Sequence, residues 1–264
     1  MQSLMLNPKT ICAIIAVGSL TLASQAQVID PLTGSLSGYT TTLVLDNSLG
    51  AGSGVLFSSS ASGLQSSFVG TVSQPEQALF LAPVSSFGTA FAVGERLSVN
   101  VSMPVSSTQM DFGLAVSSTA TPIAAGSGNG YNSRTTFDWA SVSVRPSQAA
   151  VRGGADVSGT LNTSYNTGAA ANTVTALYID WVSADVFNLG YIDTSAVGHN
   201  LYTATFNGGS TIGAAIGFYG DLRAASTSLG NFTDLTISPV PEPSTLALCG
   251  AGFAGLFVAM RRKK

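Results

Sequence analysis

Reactive side chains are scarce in this chain. Cysteine occurs twice in 264 residues, at Cys12 and Cys249, and histidine once, at His199. Between residues 27 and 238 there is no cysteine and no lysine at all. That stretch therefore contains neither a disulfide nor a thiolate-bound metal site. It must be held by its core alone, and roughly 210 residues suffice to bury one as a single domain. One histidine rules out a histidine cluster for zinc, and no Gly-x-Ser-x-Gly elbow accompanies it. Charge is sparse as well, at 9% of residues. Within 27–238, five arginines stand against twelve acids, a net charge of −7. Such a surface repels phosphate backbones, so no nucleic-acid partner is expected. Serine, threonine, asparagine and glycine are left to make the surface, a composition common in exported proteins that work among polysaccharides.

The two ends differ from the middle. Lys9 precedes an almost wholly apolar run over 11–22, and Ser24-Gln25-Ala26 puts small residues at −3 and −1 of a cleavage site between Ala26 and Gln27. That layout predicts a secretory signal peptide over 1–26; its apolar run is short and wrongly flanked for a stable membrane span. The alternative is an anchor that is never cut. At the other end, residues 244–260 carry no charge. At about 1.5 Å per residue they make a helix of roughly 26 Å, just under the hydrocarbon thickness of a bilayer. Arg261, Arg262, Lys263 and Lys264 follow directly and belong on the cytoplasmic side, which leaves everything before Ser244 outside. Pro241-Glu242-Pro243 lies at the outer mouth of this span. Two prolines keep that backbone extended and remove two donors, so it cannot be absorbed into the helix.

The order Val-Pro-Glu-Pro-Ser, a short glycine-bearing apolar run and Arg-Arg-Lys-Lys resembles the PEP-CTERM sorting signal over residues 239–264. The resemblance implies an exosortase as processing partner and a cut near Pro241, Glu242 and Pro243. It also implies transient inner-membrane anchorage, then delivery to the envelope, surface or extracellular matrix of a bacterium that makes exopolysaccharide and grows as biofilm. The competing reading is an ordinary tail anchor with a proline-rich linker. No Leu-Pro-x-Thr-Gly precedes the span, so a wall-sorting signal of that type is disfavoured.

Residues 27–238 show period-two alternation in short runs bounded by Gly, Ser and Asn clusters. Leu97, Val99, Val101 and Met103 alternate with polar residues, and Phe112, Leu114 and Val116 repeat the pattern. Further runs occupy 39–46, 176–182, 186–192, 201–206, 212–219 and 232–237. Phe137 and Trp139 are out of phase with Val142 and Val144, which predicts a bulge near Ala140. Helical periodicity with caps is not found. The expectation is all-β: an antiparallel, jelly roll-like β-sandwich over 27–238, flanked by the signal-peptide helix and one C-terminal transmembrane helix. Strand rhythm and the closing strand 231–237 are similar to those of concanavalin A-like lectin and glucanase sandwiches. The glycine- and serine-rich stretch 119–133 reads as a surface loop, or a binding loop.

Candidate chemistry is thin. A glycosidase needs two carboxylates about 5–10 Å apart. Asp180 and Asp185 flank Trp181, whose ring could stack on a sugar, and Glu95 is a third candidate. A spacing of five, however, puts the two aspartates on opposite sheet faces or across a turn. His199 sits at a glycine and reads as a turn residue. No cofactor is expected; a structural calcium is compatible with such a domain, and no residue pattern identifies one. The expected protein is thus a non-enzymatic surface or matrix component that contacts extracellular polysaccharide through sheet-surface Tyr, Ser, Thr and Asn. The alternative is a glycoside hydrolase on a concanavalin-like sandwich. Two of these carboxylates gathered with Trp181 in one groove would favour the enzyme, and their scattering the binding or structural protein.

Overall fold

The computed structural model describes residues 25–45, 54–69, 76–103, 110–120, 138–146, 150–157, 160–162, 169–207, 212–222 and 230–241. Residues 1–24 of the expected signal peptide 1–26, most of the 119–133 stretch, Phe137 and the sorting segment from residue 242 lie outside these.

The described residues are strands joined by turns: β1 (Gln27–Asp30), β2 (Thr40–Leu45), β3 (Gly54–Ser60), β4 (Gly63–Val69), β5 (Glu76–Pro83), β6 (Glu95–Ser102), β7 (Met110–Ser117), β8 (Trp139–Arg145), β9 (Ala150–Val157), β10 (Thr160–Asn162), β11 (Val174–Ser183), β12 (Val186–Asp193), β13 (Gly198–Thr205), β14 (Ala215–Leu222) and β15 (Asn231–Pro239). They form two sheets. The first runs β13-β12-β11-β6-β15-β4-β3, with β1 also against β15; the second runs β10-β9-β8-β7-β14-β5-β2. Neighbours pair antiparallel throughout the described residues, and the two sheets face each other as the expected sandwich.

Period-two alternation decides what lies between them. From the first sheet, Leu97, Val99 and Val101 of β6, Leu177 and Ile179 of β11, and Phe232, Leu235 and Ile237 of β15 point inward. From the second come Phe80, Phe112, Leu114, Val116, Val142, Val144 and Phe218. The layers meet through aromatic rings: Phe112 and Phe232 stack at 4.0 Å between centroids and 7° between planes, and Phe218 sits beside both. An offset aromatic pair adds about 0.5–1.5 kcal/mol beyond the area it buries.

β15 carries one irregularity. Thr233 pairs with Asn100 and Thr236 with Ser98, so three steps on β15 oppose two on β6. The extra residue is accommodated at Asp234, which adopts φ 55°. Aspartate tolerates the left-handed region better than most residues. The bulge falls where β15 exchanges neighbours: Phe232 pairs with Leu64 of β4, whereas Leu235, Thr236 and Ile237 pair with β1.

Three expectations change. There is no bulge at Ala140, because β8 pairs with β7 without interruption from Ser117–Trp139 to Phe112–Val144. Trp139 simply faces the side opposite Val142 and Val144. His199 is not a turn residue but lies inside β13, paired with Tyr191. The run beginning at 212 becomes strand only at Ala215.

Phe112→Ala is expected to lower the unfolding free energy by about 3–5 kcal/mol, since it opens a cavity at the meeting point of both sheets. Urea unfolding of residues 27–240 followed by intrinsic fluorescence measures it.

Candidate functional site

The sequence-derived carboxylates do not converge. Asp180 projects from the outer face of the first sheet, where Arg96 donates from Nε and Nη2 to its two oxygens at 2.6 and 2.8 Å. The Arg96 guanidinium also lies 3.8 Å from the centre of the Tyr178 ring. Tyr178 in turn covers Gly190, where any Cβ would collide with its phenol. Burial is the main reason the Tyr178 hydroxyl titrates above its ordinary range. Asp185 sits in the turn between β11 and β12. Glu95 opens β6 and accepts the N–H of Ala92 on Oε2 at 2.7 Å.

Trp181 belongs to the inner side. Its ring packs on Phe91 and Phe187, and Nε1 donates to the carbonyl of Ser183 at 2.8 Å. Gly213, at φ 93°, provides its seat: a Cβ there would lie 2.7 Å from the indole. Trp181 is therefore a core residue at the sandwich rim, separated from Asp180 by the sheet itself.

His199 and Asp193 form a local device. His199 Nε2 lies 2.8 Å from Asp193 Oδ2, and its ring stacks on Tyr191 at 4.7 Å. The other Asp193 oxygen accepts the N–H groups of Ser195 and Val197 at 2.8 and 3.0 Å. Together, His199 first and then these amides, they hold the Asp193 carboxyl below its ordinary range. This carboxylate closes the β12–β13 turn, in which Ala196 takes φ 60°.

Two features of the sheets were not singled out from the sequence. The first is a buried polar row on the second sheet, facing away from the core. Gln77, Asp221, Asp111 and Arg145 stand directly opposite one another on β5, β14, β7 and β8 in turn. All are nearly inaccessible, at 8, 2, 2 and 3% exposure. Arg145 donates from Nε and Nη2 to the two Asp111 oxygens, both at 2.6 Å. Arg152 Nη1 approaches the same carboxylate at 3.5 Å, and Gln77 donates to Asp221 at 3.1 Å. Burial, helped by the Asp221 charge, raises the Asp111 carboxyl against the opposing pull of Arg145. On the same face Trp139 stacks on Tyr219 at 5.5 Å, above the small outward residues of β7 and β14 (Gly113, Ala115, Ala215, Gly217). Trp139 Nε1 is buried and finds no acceptor among the described residues. A legible signal existed: in β5 the outward Leu79 and Leu81 are as apolar as the inward Ala78, Phe80 and Ala82, and a strand buried on both faces reads that way.

The second feature is a set of paired polar side chains on the outer face of the first sheet. Ser98 bonds Thr236 across β6 and β15, Asn100 donates to Asp234, Gln65 to Asn231, and Thr203 to Asn188. The serines, threonines and asparagines thus lie where a sheet-surface contact requires them. Of the described tyrosines, Tyr39, Tyr178, Tyr191 and Tyr219 are buried and Tyr202 is half-buried. No group of three or more His, Cys, Asp and Glu side chains able to hold a metal occurs among the described residues, and no helix among them is long and apolar enough to cross a membrane.

At the chain's end, Pro239 still pairs with Glu95, and the Val240 N–H donates to the Gly94 carbonyl at 2.8 Å. Pro241 is exposed. Residues 239–263 match the PEP-CTERM protein-sorting motif. The chain accordingly carries the signal of an exported protein processed by an exosortase at the cell envelope. Among proteins of curated function none matches the chain. Among solved structures, the chain is similar to lectin II from Ulex europaeus, with 12% identity over 82% of this chain and 98% of that one and a TM-score of 0.49. It is also similar to a protein of unknown function with a galectin-like fold from Bacillus subtilis (11% identity, 80% and 94% covered, TM-score 0.48) and to a carbohydrate-binding module from the same organism (12%, 76% and 95%, 0.41).

Breaking the buried pair should cost more than removing it. Arg145→Met, which leaves Asp111 buried without its main partner, is expected to lose about 3–5 kcal/mol. The double change Asp111→Asn/Arg145→Met should lose less than the single one in urea unfolding. The Asp193 turn should fail in acid. A depressed carboxyl contributes above its unfolded value, about 3.9, and its contribution disappears as pH falls through the lower folded value. NMR titration should therefore show the Ser195 and Val197 amides moving together with a midpoint below about 3.9, and Asp193→Ala should abolish that step.

Proposed function

We propose that this chain is a non-enzymatic component of the cell surface or extracellular matrix, a structural or glycan-binding body delivered by its C-terminal signal to an exopolysaccharide-rich biofilm. The observation that carries the reading is the junction at Pro239–Pro241. The last strand of the sandwich passes directly into the sorting motif, and its final paired residue is followed at once by an exposed proline. The first proline of the Pro-Glu-Pro triplet is thus accessible to a membrane-embedded processing enzyme.

The paired polar side chains on the outer face of the first sheet support the glycan-binding side of the proposal. Ser98, Asn100, Asn188, Thr203, Asn231 and Thr236 supply donors and acceptors without charge, the pairing that sugar hydroxyls need. Support for a non-enzymatic role comes from the carboxylates. Asp180 is held by Arg96 on the outer face of the sheet, away from the inner side on which Trp181 packs against Phe91 and Phe187, and Glu95 is engaged by the Ala92 N–H. The adjacent pair, Asp111 and Asp221, is buried and bound by Arg145 and Gln77 instead of facing a sugar. No cofactor enters this proposal.

Mass spectrometry of the exported form tests it. A mature chain starting at Gln27 and ending near Pro241–Pro243, retained on immobilised exopolysaccharide from the producing cells, is expected. Exported material still ending at Lys264 counts against processing, and processed material that ignores the polysaccharide but cleaves glycosidic bonds would establish the hydrolase instead.

A further inference from the structure

We propose that, while the sorting signal is intact, one end of the sandwich rests on the lipid bilayer, and that this end is built from the start of β1, the turn before β6 and the end of β11. The inference rests on the sorting reading above and adds the orientation of the body.

Three observations lead to it. First, the chain enters and leaves at the same end. Gln27 pairs with Ile237 on adjacent strands, so the segment before β1 and the segment after β15 emerge side by side. Second, the tether is short. Pro241 is three residues from Ser244, where the uncharged run begins, and three extended residues span at most about 10 Å. The connection is also stiff at its root, because the Val240 N–H is bound to Gly94, and the Gly94 N–H to the Trp181 carbonyl at 2.7 Å. A body on so short a lead stays against the membrane and cannot turn freely. Third, three of the five exposed large apolar side chains among the described residues lie there. Val28, Val93 and Val182 are 50, 53 and 47% exposed, and all three adjoin this exit: Val93 precedes Gly94, Val182 follows Trp181, and Val28 faces Thr236 across the β1–β15 ladder. Leu56 and Val197 are as exposed but lie toward the opposite end, on β3 and in the β12–β13 turn.

The chemistry of this end is apolar, not basic. Arg96 is engaged by Asp180, and the neighbouring acids Glu95 and Asp185 give no attraction to anionic headgroups. Contact is therefore expected to depend little on salt. Scattered valines insert weakly by themselves; the short tether keeps them at the interface.

The cysteine-free body makes the test clean. The full chain carrying Cys12→Ser and Cys249→Ser is given one new thiol at a time, Val93→Cys, Val182→Cys, Leu56→Cys or Val197→Cys. Each is labelled with an environment-sensitive fluorophore and reconstituted into phosphatidylethanolamine/phosphatidylglycerol vesicles containing a shallow spin-labelled lipid. Quenching at 93 and 182 is expected to exceed that at 56 and 197 several-fold, at low and high salt alike. Equal quenching at all four positions, or stronger quenching at 56 or 197, in protein that floats with the vesicles overturns the proposed orientation and leaves the sorting reading standing. Protein that does not float with the vesicles removes the sorting reading and this proposal together.

Discussion

Everything in this sandwich depends on two sheets gripping each other through apolar side chains, because no covalent link holds residues 27–238. Phe112, Phe218 and Phe232 stand at the centre of that grip, one from each of three strands and from both sheets. Flat stacking brings ring faces together over a large area with two side-chain torsions fixed per residue, a low entropic cost for the surface buried. Exported domains of modest size often rely on disulfides for this purpose. Here the core is large enough to replace them, and the second sheet adds another buried layer on its far side around Trp139 and Tyr219.

That second layer explains why charge can be so scarce and yet so deeply placed. Asp111 and Arg145 meet with two short hydrogen bonds in a region shielded from water. Replacing such a pair with apolar residues is often neutral or favourable, so the pair is not retained for net stability alone. It fixes register. A slip of β7 by one residue against β8 would turn Asp111 to the opposite face, leaving its charge in the hydrocarbon core and Arg145 without its main partner. The same logic applies on the first sheet, where Arg96 and Asp180 lock β6 to β11.

The sequence disclosed the fold class and the sorting segment for different reasons. β6 buries one face, so the alternation in its sequence mirrors the structure directly. The sorting signal is linear, and three unlike elements in fixed order identify it without any folding. What stayed hidden was set by pairing between distant strands. β3 and β4 are serine-rich and are not among the runs picked out in the sequence, yet they form an unbroken hairpin, with Phe232 of β15 opposite Leu64. Asp111 and Asp221 are 110 residues apart in sequence, and only the β7–β14 register makes them neighbours. The phase change at Trp139 suggested a bulge because the outward side of β8 is itself buried and takes an aromatic ring beside Ser141, Ser143 and Arg145. Trp181 drew attention through the aspartates on either side of it, but the pleat of β11 sends its ring inward and Asp180 outward.

The position of β15 sets an order of events. It is the last strand to be made and one of the most central in its sheet, with β6 on one side and β4 and β1 on the other. A chain made from its N-terminus cannot complete the first sheet until residues 231–239 are available, and the residues that match the sorting motif begin at 239. Completion of the sandwich and completion of the tag are therefore adjacent events in synthesis. A product truncated before residue 231 would have neither a finished sheet nor a tag.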